Sequence, residues 1–338
     1  MKRVLFLLSA LVLLASCAEK PVVLTVEGGQ IQGVKADIPG VTVFRGIPYA
    51  AAPIGDLRWK EPQPVEPWEG VKVCDKFGHP GYQSVHYPGG YTTEWGYGDE
   101  APYSEDCLYL NVWTKAPGQV DKKLPVALWI HGGGYREGWG SEPEFDGQEW
   151  ANKDVVLVSI NYRLGVFGFL CHPELSAESP NGVSGNYGIL DQIESLKWIQ
   201  KNIEQFGGDP DNVMIFGQSA GGGSVRTICE SPLARGLFHK AVIMSAGGLT
   251  VPQAGGMGMG MGSMRGGFPG FPGMSATPEK KIAAYTAPKA PEGLNALQTA
   301  EFLCGSGYFG KYILPYRQDQ HIPPAVGTDF GNGSGPAF

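Results

Sequence analysis

The stretch VMIFGQSAGG, Val213–Gly222, constrains this chain more than any other. A short apolar run ends in Gly217-Gln218-Ser219-Ala220-Gly221, and a helix-compatible segment follows over 220–229. Strand, tight turn and helix in direct succession form a G-x-S-x-G elbow. Small residues stand where backbone segments crowd, and the turn lifts a serine hydroxyl above the end of a sheet. The helix N-terminus behind it favours negative charge. A G-x-S-x-G alone is weak, but this setting makes Ser219 the candidate nucleophile.

The rest of the first 250 residues supplies a sheet for that elbow. Leu124–Ile130 (LPVALWI), Val155–Ile160 (VVLVSI) and Ala241–Met244 are further apolar runs. Continuous runs of this length suit strands covered on both faces, as in a mostly parallel sheet. Ile189, Ile193, Leu196, Ile199 and Ile203 recur at helical spacing, which predicts an amphipathic crossover helix over 187–205. Val22–Val26 and Gln30–Val34 flank the Gly28-Gly29 turn and predict a hairpin. The expected class is α/β, a mostly parallel central sheet flanked by helices.

A second motif follows one of these runs. His131-Gly132-Gly133-Gly134 stands directly after Leu124–Ile130. Acyl transfer needs backbone donors aimed at a developing oxyanion, and glycines let the backbone come close enough to supply them. His131 is not the expected base, because in the usual order the histidine follows the serine.

With these motifs in place, the chain resembles the type-B carboxylesterases, the family that includes the cholinesterases. The likeness runs from about residue 22 to 250 and rests on Phe44–Trp59, Glu105–Trp113, Asn161–Leu170, Gly185–Gln192 and Phe206–Gly222. It implies an α/β-hydrolase fold and hydrolysis of a small carboxylic ester through an acyl-serine intermediate, with no cofactor. It gives Ser219 as nucleophile and the amides of Gly133, Gly134 and Ala220 as the oxyanion hole. It also implies two ion pairs, Arg58 with Glu105 and Arg163 with Asp191.

Three departures stand out. Gln218 replaces the glutamate that often precedes the nucleophile. The position that often bridges to the cysteine of the EDCLYLN stretch falls near Gly81, so a Cys74–Cys107 bridge is left open. The family's acid and histidine follow the nucleophile at long distances, at or beyond this chain's end. The chain therefore reads as C-terminally truncated, with a sheet incomplete on that side. After Ser219 stand only His239 and His321. His321, in QDQHIPP, is the one base this chain itself offers, with Glu279, Glu292, Glu301 or Asp319 as acid. Two rival readings remain: a catalytically silent binding module and a non-functional fragment.

The ends differ in composition. Lys2 and Arg3, an apolar run over 4–14, then Leu14-Ala15-Ser16-Cys17 form a lipoprotein-type signal, with Cys17 the lipidated residue. An ordinary cleaved secretory signal is the alternative. Either exports the protein from a bacterial cytoplasm, and the lipid would anchor it to the envelope without spanning a membrane. Residues 18–250 form the esterase-like part. Residues 251–278 are a Gly/Met/Pro-rich insertion expected to be flexible, and 279–338 a poorly matched tail. Gly305–Lys311 imitates a phosphate loop, but Tyr312 stands where that loop needs Ser or Thr. No metal-ligand spacing occurs. The net charge of −7 argues against nucleic acid as a partner.

Overall fold

The computed structural model describes residues 21–83 and 102–246. Two sheets form. In chain order the strands are β1 (Val23–Val26), β2 (Gly29–Gln32), β3 (Val34–Lys35), β4 (Thr42–Pro48), β5 (Val71–Val73), β6 (Tyr109–Thr114), β7 (Leu124–Ile130), β8 (Val156–Ile160), β9 (Gly208–Gln218) and β10 (Lys240–Met244). The helices are α1 (Gln148–Asn152), α2 (Gly165–Phe169), α3 (Pro173–Glu178), α4 (Tyr187–Asn202) and α5 (Ala220–Glu230). The small sheet has the order β1-β2-β5, and the large one β10-β9-β7-β8-β6-β4-β3.

The large sheet is mixed. β10, β9, β7 and β8 run parallel, in line with their continuous apolar runs. From β8 outward through β6, β4 and β3 the pairing is antiparallel. Alternate residues of β7 explain why its run is unbroken. Val126, Leu128 and Ile130 pack with Ile193, Leu196 and Ile199 of α4 in one core. Ala127 and Trp129 pack with Ala151 of α1, Trp113 and Phe216 in another. A polar residue on either face of such a strand would be buried.

The predicted hairpin forms, with Val26 opposite Gly29. The crossover helix α4 continues as a short 3-10 turn, Ile203–Phe206, ending at Gly207 with φ 75°. Strand β9 starts earlier than its apolar run, because Gly208–Asn212 is polar yet still extended.

Both expected ion pairs are present. Arg58 donates from Nε and Nη2 to the two carboxylate oxygens of Glu105, each at 2.6 Å. Arg163 follows β8 directly and is buried with Asp191 of α4. Its Nε donates to Oδ2 at 2.8 Å and its Nη2 to Oδ1 at 2.6 Å. Its own backbone N–H donates to Oδ2 at 3.0 Å, and its Nη1 reaches the Lys60 carbonyl at 2.8 Å. One guanidinium thus ties the end of β8, the central helix and the 60s loop together.

Cys74 and Cys107 are buried, unbridged thiols. A Cβ built on Gly81 would lie 3.6 Å from the Cys107 sulfur. Gly81 therefore occupies the place from which a bridge to Cys107 would be made. Around it, residues 79–83 form a strap running beside 102–104. Ser104 N–H donates to the Pro80 carbonyl at 2.9 Å, His79 Nδ1 lies 2.8 Å from the Pro102 carbonyl, and Gly81 bridges to Ser104 in parallel.

Removing one partner of a buried, fully hydrogen-bonded pair leaves an uncompensated charge, at a cost of about 3–5 kcal/mol. Asp191→Ala should lower the unfolding free energy by about that amount in a urea titration followed by tryptophan fluorescence. A loss below about 1 kcal/mol would show that Arg163 finds water or another partner at little cost.

Candidate active site

Ser219 stands between β9 and α5 with φ 57° and ψ −120°. This is a costly backbone conformation for a residue with a side chain, and it persists only where the surroundings impose it. They do. Ser219 N–H donates to the Met244 carbonyl at the end of β10 at 2.9 Å. Its own carbonyl accepts from Gly223 N–H at 2.9 Å, the first turn of α5. The side chain is exposed.

The glycines around it mark backbone crossings. A Cβ on Gly217 would come within 2.7 Å of the Ile130 carbonyl, and one on Gly221 would overlap the same oxygen. A Cβ on Gly222 would meet the Met244 carbonyl at 2.7 Å. The N-terminus of α5 therefore lies directly against the C-terminal ends of β7 and β10. The amides of its first turn, Ala220 among them, have no acceptor inside the helix.

The glycine loop packs against this elbow. A Cβ on Gly132 would lie 2.8 Å from the Gln218 carbonyl and 3.4 Å from Ser219 Cβ. Gly133 and Gly134 have φ values of 88° and 63°. Gly133 closes a turn by accepting from Arg136 N–H at 3.0 Å and Glu137 N–H at 3.1 Å. The Tyr135 carbonyl accepts from Gly165 N–H at 2.8 Å.

His131 sits beneath this loop and is buried. Its ring stacks on Tyr162 at 4.3 Å, and its Nδ1 lies 3.0 Å from the Gly132 carbonyl. Burial pushes its pKa down to about 4, against the opposing pull of the Gly132 carbonyl. It is a neutral support for the loop. Nearby, Glu142 accepts from Trp139 N–H at 3.4 Å. Burial, then Glu144 and Glu137, push its carboxyl up to about 8.

The sequence-predicted residues Ser219, Ala220, Gly133 and Gly134 thus fall on two adjoining backbone segments. His321 and Cys17 lie outside the described residues, as do segments 1–17, 251–278 and 279–338. Four histidines are described, and no hydrogen bond joins any of them to Ser219. His239 is bonded to Val213 of β9 instead, accepting at Nδ1 from Val213 N–H at 3.2 Å and donating its own N–H to the Val213 carbonyl at 2.8 Å.

The sequence profile of the carboxylesterase family matches residues 19–254. The chain belongs to that family. This carboxylesterase-family chain is 46% identical to the fumonisin B1 esterase of Sphingopyxis macrogoltabida, over 65% of its own length and 39% of that protein's. It is 43% identical to the para-nitrobenzyl esterase of Bacillus subtilis, over 68% of its length and 45% of that protein's. Among solved structures it is similar to a PNB esterase, with TM-score 0.60 and 41% identity over 67% of this chain and 44% of that one. A Geobacillus stearothermophilus carboxylesterase gives TM-score 0.56 at 44% identity, over 65% and 42%. The fold is that of the α/β-hydrolases. The chain spans less than half the length of these relatives.

The depressed histidine has a consequence for stability. A folded-state pKa near 4 against about 6.5 unfolded means the unfolded chain takes up the proton first. The stability this site contributes is complete above pH 6.5 and is lost as pH falls toward 4. At about 1.4 kcal/mol per unit, the loss is on the order of 3 kcal/mol. The unfolding free energy of the wild type should therefore fall more steeply over that window than that of His131→Gln. Parallel pH profiles would rule out a neutral, buried His131.

Proposed function

We propose that this protein hydrolyses carboxylic esters through an acyl-Ser219 intermediate. The observation that carries the reading is the left-handed Ser219 backbone, pinned by Met244, with the Gly132 turn packed on it. That conformation is costly for a residue with a side chain, and it stands an exposed serine beside the glycine turn. In this reading the hydroxyl oxygen attacks the ester carbonyl and its proton passes to a histidine. The amides of Gly133, Gly134 and Ala220 hold the oxyanion, the alcohol leaves, and water releases the acid.

Gln218 sets an amide, rather than a carboxylate, next to the serine in the chain. The relatives' names, fumonisin B1 esterase, para-nitrobenzyl esterase and fatty acyl-CoA hydrolase, share acyl transfer to water and differ in leaving group. We therefore infer a small-molecule carboxylic ester and no narrower class. His321 is the base to test within the chain.

The full chain should hydrolyse a short-chain p-nitrophenyl ester, and Ser219→Ala should remove that activity by about a thousandfold or more. His321→Ala, run alongside, should fall equally far if that histidine takes the proton. Wild-type turnover no higher than that of Ser219→Ala would overturn the reading for this chain, in favour of a binding module or a non-functional fragment.

We also propose export and lipidation at Cys17, supported by the Lys2-Arg3 start, the apolar run and the small residues before the cysteine. The anchor makes the protein an envelope protein held at a membrane surface. Among the described residues no helix is long and apolar enough to cross a membrane. Bacterial cells expressing the chain should incorporate labelled palmitate into it, and Cys17→Ser should abolish the label. An unlabelled wild type, shortened by cleavage nearby, would point to an ordinary secretory signal.

A further inference from the structure

Gln83 is buried in the strap of residues 79–83, and its whole amide is spent on backbone. Its Oε1 accepts from Gly138 N–H at 2.8 Å. Its Nε2 donates to the Gly138 carbonyl at 3.1 Å and to the Gly81 carbonyl at 3.1 Å. One side chain thus grips both polar groups of a glycine 55 residues away. Gly138 itself has φ 107°, and a Cβ there would overlap the His131 ring. It is the far end of the glycine turn.

The turn between His131 and Gly138 is therefore fixed at two ends. At the entry, β7 runs straight into His131, whose carbonyl accepts from the Tyr162 hydroxyl at 2.9 Å. At the exit stands Gln83. Between them Glu137 N–H closes back on the Gly133 carbonyl at 3.1 Å, so the position of Gly138 is handed to Gly133 through one residue. Asn161 secures the residues beyond, accepting from Gly140 N–H at 2.7 Å and donating to the His79 carbonyl at 2.9 Å.

We infer that Gln83 is a positioning residue for the oxyanion-binding turn, holding the Gly133 and Gly134 amides in place through its two-point grip on Gly138. The inference rests on the proposed function for its catalytic consequence and on geometry alone for the grip.

Substitution by glutamate separates a grip from mere packing. A protonated carboxyl can accept from Gly138 N–H and donate to a carbonyl, as the amide does. An ionised one sets a negative oxygen against two carbonyl oxygens. Gln83→Glu should therefore hold the turn at low pH and release it at high pH, whereas Gln83→Leu should release it at every pH. Between pH 5.5 and pH 8 His131, packed against Gly138, stays neutral, while Glu142, bonded to Trp139, titrates in wild type and variant alike. Comparison with wild type at the same pH cancels that titration.

The measurement is hydrogen exchange by mass spectrometry on the full chain, at pH 5.5 and pH 8, beside p-nitrophenyl ester hydrolysis. Peptides spanning 131–139 should exchange about tenfold or more faster than wild type in Gln83→Leu and in Gln83→Glu at pH 8. Peptides from β7 and β9 should keep their rates, and Gln83→Glu should return close to wild type at pH 5.5. Where hydrolysis is measured, kcat should fall with KM nearly unchanged. Unaltered exchange at 131–139, a uniform rise across the sheet, or a Gln83→Glu protein indifferent to pH would each overturn the inference. Should Gln83→Leu not fold, Gln83→Glu at two pH values decides alone. A wild type without Ser219-dependent hydrolysis removes the proposed function and leaves the exchange result to judge the grip.

Discussion

The N-terminus of α5 rests on the carbonyls at the end of β7, with no side chain between them. That approach is open only because Gly217 and Gly221 lack a Cβ facing Ile130, and because Gly222 lacks one facing Met244. Everything at the site follows from it. The helix cannot start elsewhere, so the residue joining β9 to it must turn through a left-handed conformation. That residue is Ser219. The same close approach brings Gly132, the second residue after β7, against the Gln218 carbonyl and Ser219 Cβ. The two glycine motifs are thus the two sides of a single backbone crossing.

Electrostatics fixes the frame behind that crossing. Arg163 leaves β8 at the same sheet end from which β7 delivers His131, and Asp191 meets it from the central helix. The pair is buried and every guanidinium bond recorded for it is to carboxylate or backbone, so its desolvation is offset by geometry rather than left open. His131, in contrast, is kept without charge by burial. A charged imidazolium there would add its field to the glycine turn of Gly133 and Gly134. The fold places a ring there that stacks on Tyr162 and stays neutral.

Much of this was legible in the residues. The apolar runs marked β7, β8 and β9, because strands covered on both faces have no polar face to interrupt them; the run at β10 also marked a strand, but among the described residues it is an exposed sheet edge rather than a covered strand. The spacing of Ile189 to Ile203 marked α4. Strands β4 and β6 showed no such run; Arg45, Gly46 and Asn111 interrupt them, and only the family likeness pointed to Phe44–Trp59 and Glu105–Trp113. The helices α1, α2 and α3, of five or six residues, are too short for a periodic signal. At the site, Ser219 and the glycines were evident from local sequence. Gln83 was not, because an amide that bonds a backbone 55 residues away leaves no local pattern. Its neighbour Gly81 offered the one clue, as the place where a cysteine was expected.

The pairing of residues 79–83 with 102–104 also bears on how this protein can vary. The interval 84–101 leaves and rejoins the scaffold at adjacent points. For a segment whose ends are already held together, closure entropy grows only with the logarithm of length, so doubling it adds about 0.6 kcal/mol. The interval begins at the residue after Gln83, which bonds both polar groups of Gly138. The two halves of the strap are thus joined independently of the chain between them, and closure entropy alone sets almost no limit on how much sequence a lineage can carry there.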